Sequence, residues 1–226
     1  DRIDASGDGG IDEGADWLTP FALWEQPDTG RAFYILGAGG VGGNSGHMWL
    51  TTGAMNFSVD PDWFRFPLTS GWVTCVAFSN DGDHAYAGTS NGFLYRYSNL
   101  LAVDEAGKFS YPSISSTAAA WNAVDSGIVV SSVQVAPGRY LRWIAVDPTN
   151  ANNVVVTAAR YGNDENIWRS TNALEATMTF TDLTDNLPKM PVWTAVVDIE
   201  NPNRIIIGTD YGIYARDLGN ADGWTE

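Results

Sequence analysis

An all-β fold assembled from repeated antiparallel meanders is predicted by three features of the 226-residue sequence. Similar short apolar segments recur along it, turn-forming residues separate them, and no stretch keeps the 3.6-residue apolar period of an amphipathic helix. Composition agrees. Hydrophobic residues make up 44% and charged ones 17%, with 24 Gly and 10 Pro, a balance that suits short strands joined by many turns and argues against disorder.

The recurrence is clearest in three segments. Val76-Ala77-Phe78-Ser79-Asn80 leads to Tyr86-Ala87-Gly88-Thr89 and then Phe93-Leu94-Tyr95-Arg96. Ile144-Ala145-Val146-Asp147-Pro148 leads to Val154-Val155-Val156-Thr157 and then Ile167-Trp168-Arg169-Ser170. Ala195-Val196-Val197-Asp198 passes through Asn201-Pro202-Asn203 into Arg204-Ile205-Ile206-Ile207-Gly208-Thr209 and then Ile213-Tyr214-Ala215-Arg216. Each reads as three strands of a meander, the third carrying an aromatic residue and then Arg. Asn91-Gly92 suits a two-residue type I′ hairpin, in which both central residues need φ > 0.

A fainter copy has Phe33-Tyr34-Ile35-Leu36 and His47-Met48-Trp49-Leu50 as its second and third strands. The aromatic anchors Trp49, Tyr95, Trp168 and Tyr214 are then 46, 73 and 46 residues apart, the long gap holding extra residues around Ser113 to Val135. A period of about 50 fits four-stranded propeller blades better than helical solenoids. The expected repeats are 18–68, 69–120, 136–190 and 191–226, with 1–17 the end of a preceding blade; Ala118-Ala119-Ala120-Trp121 is the one helical turn expected. Blades bury their faces only against neighbours, so about four repeats either close on themselves or form part of a larger propeller. The sequence starts and stops at the same point of the repeat, which favours the larger propeller.

The turns after the third strands resemble Asp-box turns of the bacterial-neuraminidase-repeat (BNR) family, whose pattern is Ser-x-Asp-x-Gly-x-Thr-Trp. Ser6-Gly7-Asp8-Gly9-Gly10 matches its opening, with Trp17 displaced by an insertion. Arg169-Ser170-Thr171-Asn172 with Thr179-Phe180, and Asp217 with Gly223-Trp224, keep parts of it. The segment from Val197 to Tyr214 is similar to blades of sortilin-like and xyloglucanase-like propellers and of large secreted bacterial surface proteins. The resemblance implies a secreted or cell-surface propeller that serves as a scaffold or as a binding module for a protein or glycan partner. In such turns the Asp and Ser side chains bond backbone amides and the aromatic residue packs between sheets, a folding device rather than a catalytic one. The same fold hosts many functions.

Charge narrows the partners. The formal net charge of -15 repels nucleic-acid phosphates and anionic lipid, and no apolar run approaches the roughly 20 residues that span a bilayer. Neither nucleic-acid binding nor membrane insertion is expected. Cys75 is the only cysteine, so there is no disulfide framework, and its apolar surroundings predict a buried thiol.

No catalytic residue is assigned. Sialidase chemistry would need an arginine cluster and an Arg-Ile-Pro-like entry motif, of which Phe64-Arg65-Phe66-Pro67 is a distant echo. A glycoside hydrolase with two carboxylates on the central propeller face is the alternative to a non-enzymatic protein. Gly37-Ala38-Gly39-Gly40-Val41-Gly42 satisfies a dinucleotide-binding pattern, but Gly43-Asn44-Ser45-Gly46 follows it where a helix should begin, so an inter-strand loop is expected and no cofactor. Asp4, Ser6, Asp8 and Asp12 fit the early positions of a calcium loop, yet Ala15 stands where a bidentate Glu belongs. A calcium ion there would be structural. His47 and His84 lack companions at metal-ligand spacing. Asn56-Phe57-Ser58 is a glycosylation sequon. Trp49, Trp168 and Trp193 fall where a blade needs bulk between sheets, leaving Trp17, Trp24, Trp63 and Trp121 as candidates for stacking on sugar rings.

Overall fold

The computed structural model describes residues 19–39, 45–53, 58, 64–66, 69–105, 127–162 and 165–226. They form four antiparallel sheets, each a meander in chain order. Sheet 1 holds β1 (Phe21–Gln26), β2 (Arg31–Gly39), β3 (Ser45–Thr51) and β4 (Phe64–Arg65), with β5 (Thr69–Ser70) also paired to β3. Sheet 2 holds β6 (Val73–Phe78), β7 (His84–Thr89), β8 (Phe93–Ser98) and β9 (Val129–Gln134). Sheet 3 holds β10 (Leu141–Val146), β11 (Val154–Ala158), β12 (Ile167–Ser170) and β13 (Thr181–Asp182). Sheet 4 holds β14 (Val192–Val197), β15 (Arg204–Thr209) and β16 (Ile213–Asp217), and an isolated bridge from Ala215 to Thr225 occupies the place of its fourth strand.

The first strands β1, β6, β10 and β14 abut one another in succession, so the sheets fan from a shared inner edge. Alternation along each strand sends successive side chains to opposite faces, and each internal sheet therefore feeds two cores. Between sheets 1 and 2 lie Phe33, Ile35, Met48, Leu50, Ala87 and Tyr97. Cys75, Tyr86 and Leu94 of sheet 2 meet Ile144, Val156 and Trp168 of sheet 3. Ala145, Val155 and Ile167 of sheet 3 meet Ala195, Ile205 and Ile207 of sheet 4. Each fully buried Ile or Leu contributes roughly 1.5–3 kcal/mol, so the junctions rather than any one sheet hold the fold.

The anchors occupy one register. Tyr95 pairs with Ala87, Trp168 with Val156, Tyr214 with Ile207 and Trp49 with Leu36, in each case one residue before the position filled by Gly88, Thr157, Gly208 or Gly37. At Gly37 a Cβ would stand 2.3 Å from Val73 Cγ1. Close approach of sheet 2 requires a glycine here; Gly40 and Gly42 lie outside the described residues.

Three local details differ from expectation. The Asn91-Gly92 turn is not type I′: Gly92 has φ +78° while Asn91 does not have positive φ, and the Gly92 amide donates to Thr89 O at 3.1 Å. This is a three-residue hairpin with glycine in the left-handed position, and Phe93 N reaches Thr89 Oγ1 at 3.2 Å. A helix, α1 (Leu100–Glu105), lies in the connection after β8, buries Leu100 and Val103, and takes a bond from Leu101 N to Asp83 Oδ1 at 3.1 Å. Its six residues are too few to show a helical period; the expected turn at 118–121 lies outside the described residues. Finally, the strand completing sheet 2 is Val129–Gln134, past residue 120.

Candidate binding face

The turns joining second to third strands and the residues leading into the first strands share one end of the fan. Among the described residues this end gathers Tyr140, Arg142, Trp143, Tyr161, Trp193, Asp210 and Tyr211 from sheets 3 and 4. The five aromatic residues are exposed. The indole N–H of Trp193 donates to Asp210 Oδ1 at 2.7 Å, and the Tyr161 hydroxyl donates to Asp210 Oδ2. These two bonds hold the Asp210 carboxyl below its ordinary value, and the bond to Asp210 raises the Tyr161 hydroxyl. The Arg142 guanidinium lies 5.2 Å from the centre of the Tyr140 ring and 5.8 Å from that of Trp193. The cluster thus links two sheets through one carboxylate, one cation and three rings, with ring area left for a ligand.

Backbone irregularity creates this arrangement. Pairing of β14 with β15 shifts between Val192 and Thr194, which leaves Trp193 in a bulge; β10 shifts in the same way around Arg142, and β6 around Thr74. A bulge re-aims its extra residue. Thr74 uses that freedom to bond Leu141 O at 2.6 Å, tying sheet 2 to sheet 3. Trp193 is consequently 43% exposed. This corrects the expectation that it supplies bulk between sheets, whereas Trp49 and Trp168 are buried as expected. Trp24, a sugar-stacking candidate, instead stacks on Phe33 at 5.2 Å and donates to Asn80 O at 2.8 Å. Trp17, Trp63 and Trp121 lie outside the described residues.

Among the described residues, Arg31, Arg96, Arg139 and Arg216 do not converge on one point. Arg31 pairs with Asp104 at 3.0 Å, Arg216 with Asp185 at 3.2 Å, and Arg139 bonds Glu165 O and Asn166 Oδ1. Arg96, 4% exposed, donates to Ala173 O, Glu175 O and Ser131 Oγ, stitching sheet 2 to the turn after β12. That turn is centred on Asn172. Its Oδ1 accepts from Thr179 N and Thr179 Oγ1 at 2.9 Å each, and Ser170 Oγ accepts from Asn172 N at 3.2 Å. Phe180 then packs into the core between sheets 2 and 3. At the matching place in sheet 4, Trp224 is buried and its indole donates to Leu183 O at 2.7 Å.

Asp4, Ser6, Asp8 and Asp12 lie outside the described residues, and no group of three or more His, Cys, Asp or Glu suited to a metal ion occurs among the described ones. His47 Nδ1, on sheet 1, lies 3.1 Å from Phe66 O, and His84 Nδ1, on sheet 2, lies 2.9 Å from Oγ of Ser98, its pairing partner on β8. Burial pushes the Cys75 thiol up to about 12, so the nucleophilic thiolate is scarce at neutral pH.

Fanned four-stranded meanders sharing an inner edge are blades of a β-propeller, and the chain is an all-β protein of that architecture. It is similar to Sqt1 from Chaetomium thermophilum, with a TM-score of 0.58 at 18% identity over 91% of this chain and 45% of that one. It is also similar to the GH74 enzyme of Niastella koreensis, with a TM-score of 0.50 at 18% identity over 90% of this chain and 29% of that one. This chain therefore spans less than half the length of either. At such identity the likeness shows the fold alone. No family model matches the chain, and no curated protein matches it in sequence.

Proposed function

We propose that the chain is a non-enzymatic propeller segment on the outside of a bacterial cell, secreted or displayed, acting as a scaffold that binds a glycan or protein partner. The observation that carries this reading is the exposed Tyr140, Trp193 and Tyr161 rim held together by Arg142 and Asp210. Arg142 covers one face of Tyr140 and of Trp193, and the exposed remainder of these rings and of Tyr161 suits a sugar ring or an apolar side chain. Asp210 is committed to two donors, an arrangement suited to holding rings in place rather than to moving protons. We read the Asn172 turn and the turn from Asp217 to Trp224 as Asp-box turns, in keeping with the BNR resemblance, and the Asp4, Ser6, Asp8 and Asp12 loop as a further copy that also suits a structural calcium ion.

A glycan array combined with a reducing-sugar release assay tests the reading. Binding without product is expected, with Trp193→Ala weakening it at least about tenfold, the loss of one good stacking contact. Product release abolished by a single Asp or Glu substitution would overturn it in favour of a glycoside hydrolase.

A further inference from the structure

The bulged residues of three successive first strands are equivalent. Thr74 in β6, Arg142 in β10 and Trp193 in β14 each sit where pairing with the second strand shifts. Two of them find acceptors inside the fold: Thr74 Oγ1 donates to Leu141 O at 2.6 Å, and the Trp193 indole donates to Asp210 Oδ1 at 2.7 Å. Arg142 does not. Its Nε is buried without a hydrogen-bond partner, and among the described residues its guanidinium meets the Tyr140 and Trp193 rings but pairs with no carboxylate. Arg31, Arg204 and Arg216 each reach a carboxylate.

Register explains the difference. Ala158 pairs with Leu141 as Thr209 pairs with Val192, so Ala159 occupies in sheet 3 the place that Asp210 holds in sheet 4. The turn beside Arg142 thus offers a methyl group where the turn beside Trp193 offers a carboxylate. A half-buried guanidinium with unpaired donors is costly until an anion meets it. Ring contacts hold the planar fork in one orientation without using its N–H groups, which leaves them for an incoming acceptor.

We propose that, on the reading of this rim as a binding face, Arg142 receives the carboxylate of an Asp or Glu side chain from a protein partner, whose apolar neighbours pack on Tyr140, Trp193 and Tyr161. Two observations favour a peptide over an acidic polysaccharide. A formal charge of -15 opposes a polyanion, whereas a single carboxylate gains more from close contact with Arg142 than it loses to the screened field of the whole chain. The exposed rim is also built mainly of Tyr, Trp and Arg, the residues that dominate the energetics of protein interfaces.

An array of acetylated, amidated peptides tests this, each carrying one Glu or Asp among apolar residues and matched by its Gln or Asn counterpart, with oligogalacturonides and neutral oligosaccharides beside them. Fluorescence anisotropy of the best pair should show the 226-residue chain preferring the acidic peptide at least about tenfold. Arg142→Met should bind both members alike, and Arg142→Lys should keep only part of the preference, because a point charge replaces the fork. Ala159→Asp supplies an internal partner for Arg142 and should erase the preference, with circular dichroism checking that each variant is folded. Trp193→Ala should weaken both members equally. Equal binding of acidic and amide peptides would sink the assignment, as would a preference that survives both Arg142→Met and Ala159→Asp. Binding of an oligosaccharide but no peptide, lost in Trp193→Ala, would also sink it while leaving the rim a binding face. Binding of no probe at all would remove the rim reading and this assignment together.

Discussion

Gly92→Ala is expected to cost about 3 kcal/mol or more, because two penalties coincide. The residue has φ +78°, a conformation that side chains with a Cβ disfavour. A Cβ there would also stand 1.7 Å from Ala136 O and 2.4 Å from its carbonyl carbon, and both are backbone atoms that no rotamer change can move. Gly92 O accepts from Val135 N at 2.8 Å and from Ala136 N at 3.2 Å, so the turn cannot retreat without breaking the entry to sheet 3. For a domain of this size the melting temperature should drop by roughly 6–12 °C in differential scanning calorimetry. Gly138→Ala provides the control: that glycine also has positive φ, +67°, but nothing lies within 4 Å of its Cβ position, so only the smaller conformational penalty applies. Equal losses at the two sites would show that the contact with Ala136 is unimportant.

Arg96→Met should destabilise by a similar amount, about 3 kcal/mol, since the carbonyls of Ala173 and Glu175 and the hydroxyl of Ser131 lose donors beside a buried stem. Burial also works against the charged guanidinium, which is lowered from its ordinary value, so the site is held by its bonds rather than by easy solvation. Urea denaturation reads the loss as a lower midpoint with little change in slope. Arg204→Met is the comparison. Its ion pair with Asp198 is 3.7 Å long and half-exposed, and removing it should change stability by under about 1 kcal/mol. If Arg96→Met proves as mild as Arg204→Met, the turn after β12 is secured by Asn172 and Phe180 alone.

The sequence carried the sheets well because their signals are local. Alternating apolar residues between Asn, Asp and Gly turns specify a strand wherever they occur, and an anchor such as Trp168 marks its own register. The candidate face was less legible. The repeat position of Trp193 points to the interior; only a shift in pairing with β15 redirects it, and that shift depends on a partner strand. Asp210 and Tyr161 lie 49 residues apart and meet through the adjacency of two sheets. An aromatic residue beside each second-to-third-strand turn, Tyr161 and Tyr211, was the available hint. Helix α1 was hidden by its brevity, and β9 by the length of the segment between it and β8.

Asn172, on which the turn after β12 is centred, offers Thr179 an uncharged side-chain acceptor. Asp147, on the connection from β10 to β11, is different. Burial would raise its carboxyl, but bonds from the Asn153 side chain, from Thr149 and from the Asn150 amide outweigh this and hold it below the ordinary range. A depressed folded value contributes stability above the unfolded value of about 3.9 and loses it as acid carries the pH through the lower folded value. Lowering the pH below about 3.9 should therefore reduce the hydrogen-exchange protection of the Thr149 and Asn150 amides before that of Thr179, whose acceptor stays uncharged in any buffer. The connection that holds Asp147 is thus expected to open in acid before the turn centred on Asn172, which would give a single blade a defined order of fraying.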